Sequence, residues 1–425
     1  MAEQCEVTLL VCDSLHSKRA IFPQDGSPDT QTVMAMMVII GKHVSGEEGE
    51  AFAAAEVSVE DLNLWATSSS FGASFGISED KIDGTGSILV KPVEVQAVTV
   101  DGAEYHLMHT NTWSPFDGRK GGTVASVRDT VFIRVCPAGP FALSDALKAA
   151  RLIRDLIALA THRAAGVIWL RLEVAGTESV SPDGQPLPRR RANVLCNVLC
   201  SPAVLGSPAV LGKHDAKAVD LHHVFFTCEE LPFEEIVPRW CKVYDRLQAA
   251  INMILGLRYA PALFVENNLL MAVGAAEVLH RSLGIDEKPF PEEEFTEMRD
   301  AMLDVVPEMH RGRLKEMIRN DPKLRDRLRA LAARPDRDAI AQLVPDIDHW
   351  AGRTTQARND LAHEGRTPKH SIDELIAIVE ATTAVVILNV LHELGLPAER
   401  QRQIVREHPQ LRAVCREACD PEPNS

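Results

Sequence analysis

The sequence predicts an α+β, multidomain protein in which a mostly-β, sandwich-like N-terminal domain with one helix, residues 1–230, precedes an all-α helical bundle, residues 231–425. Three observations carry this. The 425 residues exceed what one hydrophobic core organises. In the first part, short apolar runs rich in Val, Ile and Leu alternate with turn formers, which is the pattern of strands. From Phe233 onward the apolar residues recur at helical spacing instead.

In chain order, Cys5 to Cys12 and Thr32 to Ile40 read as strands separated by the turn-rich Pro23-Gln24-Asp25-Gly26-Ser27-Pro28. Val93 to Val100 and Ala103 to Thr110 flank Asp101-Gly102, a dipeptide that takes the positive backbone angles of a two-residue hairpin turn, so these two runs should pair antiparallel. Asp117-Gly-Arg-Lys-Gly-Gly-Thr123 lacks the order of a phosphate loop and reads as a loop or hairpin turn. Strands follow at Thr130–Val135, Val167–Val174, Arg191–Leu199 and Leu221–Thr227. The one helix among them starts with Ser144 as its cap and carries Ala146, Leu147, Ala150, Leu152, Ile153, Leu156, Ile157 and Leu159, apolar at helical spacing. Arg189-Arg190-Arg191 reads as a solvated basic loop, and Ser201 to Gly206 is repeated as Ser207 to Gly212, a local duplication too short for a repeat architecture.

In the helical part, Glu277 and Arg281 lie four apart on a helix over Ala262–Leu283, the spacing of a surface ion pair. Acids dominate Asp286 to Glu308, whereas Arg311 to Arg337 is basic and includes Arg325, Arg327 and Arg329. This basic stretch is either a solvated face paired with the acids or a patch that steers an anionic polymer. A helix over Ile347–Ala362 then ends in Arg358-Asn359-Asp360-Leu361-Ala362-His363, with Gly365 placed as a left-handed cap. Ser371-Ile372-Asp373-Glu374 is a capping box that opens a helix running to Leu394. That helix is apolar nearly all round, so it is either central in a bundle or buried against a second subunit.

Arg358 and His363 together supply a fixed cation for a phosphate and a titratable proton carrier. With 15 histidines in the chain, roughly one Arg-x-x-x-x-His arises by chance, so context decides. On a regular helix, positions five apart point about 140° away from each other, so the two side chains meet only if the last turn unwinds or the arginine wraps round.

Arg358-Asn359-x-x-Ala362-His363, the long helix ending in Glu393-Leu394-Gly395-Leu396, and Glu277-Val278-Leu279-His280-Arg281 upstream together resemble the HEPN ribonucleases, in particular the ApeA-like HEPN proteins of bacterial anti-phage defence. The likeness covers about the last 190 residues, and residues 1–230 loosely resemble the ApeA N-terminal domain. The resemblance implies a helical bundle that dimerises, or forms a higher homo-oligomer, so that two Arg-x-x-x-x-His motifs face each other and cleave RNA without metal or cofactor. It implies catalytic roles for Arg358 and His363, a geometric role for Asn359 and a supporting one for Glu277. RNA binding by Arg325, Arg327 and Arg329, an RNA substrate with tRNA among the candidates, a phage-derived trigger and abortive infection complete that expectation. The alternative is a non-catalytic dimerisation or nucleotide-binding module.

Composition narrows the rest. Hydrophobic residues at 45% and charged residues at 25% describe a globular chain. The net charge of -15 argues against broad binding along a nucleic-acid backbone, so any RNA site must be local. Nine scattered cysteines suit a reducing compartment. Cys196-x-x-x-Cys200 and Cys415-x-x-x-Cys419 have poor spacing for structural zinc. No leader pattern and no uninterrupted apolar run of membrane-spanning length is seen, which points to the cytoplasm without membrane partners. Serine-elbow, dinucleotide and kinase motifs are missing.

Overall fold

The computed structural model describes residues 6–18, 30–78, 81–113, 117–119, 122–124, 126–196, 223–259, 263–285 and 288–419. The chain forms two compact units, Met1–Cys241 and Lys242–Ser425.

In the first unit the strands are β1 (Val7–Lys18), β2 (Thr30–Ile40), β3 (Phe52–Val59), β4 (Phe71–Ser78), β5 (Lys81–Val90), β6 (Gln96–Val100), β7 (Ala103–Trp113), β8 (Asp117–Arg119), β9 (Gly122–Val124), β10 (Val127–Cys136), β11 (Val167–Val174), β12 (Ser179–Val180), β13 (Pro186–Leu187) and β14 (Arg191–Cys196). Eight of them make one antiparallel sheet in the order β1-β2-β14-β11-β3-β10-β7-β6, and the other six make three separate hairpins. The mostly-β reading holds, with a single large sheet as its body. β3 is buried along almost its whole length because β10 and β11 flank it and a helix lies against it. That helix, α2 (Leu143–Thr161), buries Leu143, Ala146, Leu147, Ala150, Ile153, Leu156 and Ile157 at helical spacing. A short helix, α1 (Leu62–Ala66), precedes β4.

Local chemistry set several of these elements as expected. Asp101 and Gly102 take φ of 48° and 81°, and Val100 pairs with Ala103 across the turn. Within the 117–123 segment, β8 pairs antiparallel with β9, and residues 120 and 121 lie outside the described residues. Two readings need correction. α2 starts at Leu143 with Ala142 as its cap, and the Ser144 hydroxyl donates to Glu48 at 3.3 Å instead of capping. Residues 223–227 form no strand: Phe225 and Phe226 are plugged into the core and the Phe225 amide donates to the Ala160 carbonyl at 2.7 Å. The expected turn at 23–28, residues 197–199, the duplication at 201–212, and 221–222 lie outside the described residues. The basic triplet is fully engaged, with Arg189 on Glu178, Arg190 on Glu6 and Arg191 on the buried Glu56.

The helices continue with α3 (Phe233–Tyr259), α4 (Val265–Ser282), α5 (Glu292–Asp304), α6 (Glu308–Met317), α7 (Leu324–Ala332), α8 (Arg337–Leu343), α9 (Ile347–Glu364), α10 (Ile372–Glu393), α11 (Ala398–Glu407) and α12 (Pro409–Cys419). The division between the units falls inside α3, at Cys241/Lys242, whereas the sequence places it ahead of Phe233. α10 is the axis of the second unit. It packs against α4, α7, α8, α9 and α12, and every residue from Ala381 to Leu391 is buried. It is long and apolar enough to cross a membrane, yet 78% of its most apolar window is covered by its own unit, so it is a bundle core. Leu269, Ala272 and Val273 of α4, Ala357 of α9, and Leu375, Ile378 and Val379 of α10 form one apolar cluster that clamps these three helices together. The core is not purely apolar. Thr354, Thr382 and Thr383 hold buried hydroxyls with no hydrogen-bond partner, and the Asn389 amide donates to the carbonyls of Leu331 and Val385.

Candidate functional site

α9 begins at Asp346, whose carboxylate accepts from the His349 amide at 2.9 Å, and it stays helical to Glu364. Gly365 then takes φ 68° and ψ 12°, a left-handed cap whose amide donates to the Leu361 carbonyl. The last turn does not unwind, so Arg358 and His363 leave the helix about 140° apart and do not bond to each other.

Arg358 instead turns to α4. Its Nη2 lies 3.5 Å from Glu277 Oε1, and its Nη1 donates to Asn359 Oδ1 at 3.3 Å. Glu277 therefore pairs with the motif arginine and not with Arg281. The arginine is half-buried, which pre-positions its guanidinium. His363 and Asn359 are exposed.

A second layer escaped the sequence reading. Arg353, one turn and a half before Arg358, grips both carboxylate oxygens of Glu374 at 2.6 and 2.7 Å and donates to the Lys369 carbonyl at 2.8 Å. This ties α9 to the loop after the motif and to the start of α10. Ser371 does cap α10, accepting from the Glu374 amide at 3.1 Å, but the Glu374 carboxylate is taken by Arg353 and does not close the box. Lys369 lies 3.9 Å from Asp360, and the His370 ring is half-buried behind Arg353. Burial, then the charge of Arg353, holds the His370 imidazole below its ordinary value. A two-pronged arginine pair is not detectable from spacing, because Arg353 and Glu374 sit on different helices.

The three arginines of the basic stretch are largely committed. Arg329 pairs with Asp348 at the start of α9 and with Asp326, and Arg325 donates to the Asp348 carbonyl at 3.3 Å. Arg327 donates to the Pro322 carbonyl at 3.0 Å and buries its Nη1. Of the three, only Arg325 is exposed. Cys196 lies on β14 and Cys415 on α12, while Cys200 lies outside the described residues. Among the described residues, no group of three or more His, Cys, Asp or Glu is placed to hold a metal ion.

The family model for the ApeA-like HEPN domain matches residues 270–400, the stretch that contains Glu277, Arg358, Asn359 and His363. The model for ApeA N-terminal domain 1 matches residues 2–240, more than half of the chain, and the protein belongs to the ApeA-like HEPN anti-phage family. No curated protein and no solved structure matches the chain.

Proposed function

We propose that this protein is a metal-independent endoribonuclease whose active site is assembled from the Arg358–His363 segments of two subunits, acting in the cytoplasm in abortive-infection defence. The observation that supports this reading is the helical continuity of α9: one chain aims its arginine and its histidine in different directions, and pairing with a second copy would bring an arginine and a histidine to one phosphate. Exposed apolar side chains support a partner on the same helices. Leu263 and Phe264 just ahead of α4 are 91% and 64% exposed, and Ile372 on α10 is 67% exposed.

In this arrangement one His363 withdraws the proton of a ribose 2′-hydroxyl, which attacks the adjacent phosphorus. The second His363 protonates the departing 5′-oxygen. The two Arg358 guanidiniums stabilise the charge on the phosphoryl oxygens, with Glu277 and Asn359 holding them in place. The nucleophile belongs to the substrate, so the chemistry needs no metal. Products carry a 2′,3′-cyclic phosphate, DNA resists, and tRNA is among the candidate substrates. The N-terminal domain senses a phage-derived trigger or restrains the nuclease.

A heterodimer of tagged wild-type and His363→Ala chains tests the composite site. Its RNA cleavage should fall far below half of the wild-type rate, because one proton carrier is lost from the shared site. Half activity would mean independent sites. The second reading, a non-catalytic dimerisation or nucleotide-binding module, draws on the partial neutralisation of Arg358 by Glu277. Equal growth on expression of wild type and of folded His363→Ala, with the trigger present, would favour it.

A further inference from the structure

The first unit holds a side-chain constellation unrelated to the nuclease motif. Pairing of β7 with β10 sets Val131 opposite His109 and Asp129 opposite Asn111, so His109, Asn111 and Asp129 share one face of the sheet. Residues 67–70, running from α1 into β4, pass beside them. His109 Nδ1 lies 3.0 and 3.1 Å from the two carboxylate oxygens of Asp129, and His109 Nε2 lies 2.9 Å from Ser68 Oγ. A carboxylate only accepts, so Nδ1 carries the proton of the neutral ring, and Nε2 is left as the acceptor of the Ser68 hydroxyl.

The arrangement is built rather than incidental. The His109 and Asp129 side chains are 5% and 6% exposed, whereas Ser68 is only half-buried. The Ser70 amide donates to Asp129 Oδ2 at 3.0 Å, the Ser70 hydroxyl donates to Asn111 Oδ1 at 2.9 Å, and Asn63 of α1 donates to the Asp129 carbonyl at 3.1 Å. Thr67 takes φ 56°, a left-handed bend immediately before Ser68. Among the described residues, no hydrogen bond occupies the amides of Ser68 and Ser69. The residue after a nucleophile is where such sites place an oxyanion donor.

We propose that Ser68, His109 and Asp129 form a serine-nucleophile triad that hydrolyses a carboxylic ester with an apolar acyl group. As Ser68 Oγ attacks the ester carbonyl carbon, its proton passes to His109 Nε2. The bond to the alcohol oxygen breaks, and His109 returns that proton to the leaving alkoxide. Water then gives a proton to the same nitrogen and attacks the acyl carbon; as the bond from that carbon to Ser68 Oγ breaks, His109 passes the proton to Oγ, which releases the acid and restores the Ser68 hydroxyl and the neutral ring. Asp129 holds the ring and stabilises the imidazolium. The acyl preference follows from the β4–β5 hairpin, rooted beside the site by the bond from the Lys91 amide to the Ser70 carbonyl at 2.8 Å. Its register, Phe71 with Val90, Ala73 with Ile88 and Phe75 with Gly86, gathers apolar side chains on one face. Phe75 and Ile88 there are 68% and 73% exposed.

The full chain is treated with a fluorophosphonate probe and mapped by peptide mass spectrometry. Ser68 should carry the adduct, Ser68→Ala should lose it, and His109→Gln and Asp129→Asn should slow it by more than about tenfold. p-Nitrophenyl octanoate should be cleaved faster than the acetate, and acetate preference would overturn the acyl assignment. No adduct at Ser68 in folded wild type, or an equal rate in folded His109→Gln, would overturn the triad and leave a structural network.

Discussion

Arg358 joins two networks that act on different scales of charge. Its guanidinium must face a phosphate on one side while Glu277 and Asn359 hold it from the other, and a planar fork suits that double duty. Arg358→Lys keeps the charge but presents a single point donor, so RNA cleavage should fall at least about a hundredfold with the fold intact. Glu277→Gln keeps the shape and removes the attraction. Because the pair is partly exposed and 3.5 Å long, its loss should lower cleavage by about tenfold or less and shift the melting temperature little. A Glu277→Gln chain as inactive as Arg358→Lys would make the carboxylate itself a proton carrier.

The element that organises the site is the α9–loop–α10 turn, and Arg353 is its clasp. Replacing Arg353 by Met removes a two-pronged pair and a bond to the Lys369 carbonyl, which should destabilise the helical unit by about 1 kcal/mol and speed amide exchange across residues 366–371. Unchanged exchange there would mean the apolar cluster alone holds the turn. Arg325 and Arg329 fasten α7 to the start of α9 and Arg327 is held on the Pro322 carbonyl, which competes with a role in steering RNA. Replacing all three with Gln should weaken RNA binding and flatten its salt dependence if they steer, without moving the cleavage position. An unchanged salt slope would assign them to fastening alone. What the sequence made legible were features written locally: the Asp101-Gly102 hairpin, the Gly365 cap, the Ser371 cap and the apolar α10. What it hid depends on partners distant along the chain. Glu277 reaching Arg358, Arg353 reaching Glu374, and Ser68 reaching His109 and Asp129 arise only when strands register and helices pack. The Ser144 reading failed because a capping residue type competes with any nearby acceptor, here Glu48.

At the scale of the whole molecule, burial pushes two imidazoles of the helical unit below their ordinary value, that of the buried His280 and that of the half-buried His370. Nearby arginines push in the same direction. Between the lowered values and about 6.5 the unfolded chain binds protons that the folded chain does not, so stability is full above that window and is lost as the pH falls through it. The melting temperature should therefore drop between pH 7.5 and 5.5, and His280→Gln should reduce that drop even if it lowers both values. An identical drop in the variant would place the acid sensitivity elsewhere. The unpartnered hydroxyls of Thr354, Thr382 and Thr383 carry a different consequence, one for engineering. Each hydroxyl is buried without a protein partner, which costs roughly 1–3 kcal/mol when such a group is stranded, and valine has nearly the same shape without it. Valine at these positions should raise the melting temperature by several degrees, giving a sturdier scaffold on which even damaging substitutions around Arg358 and His363 can be measured in folded protein.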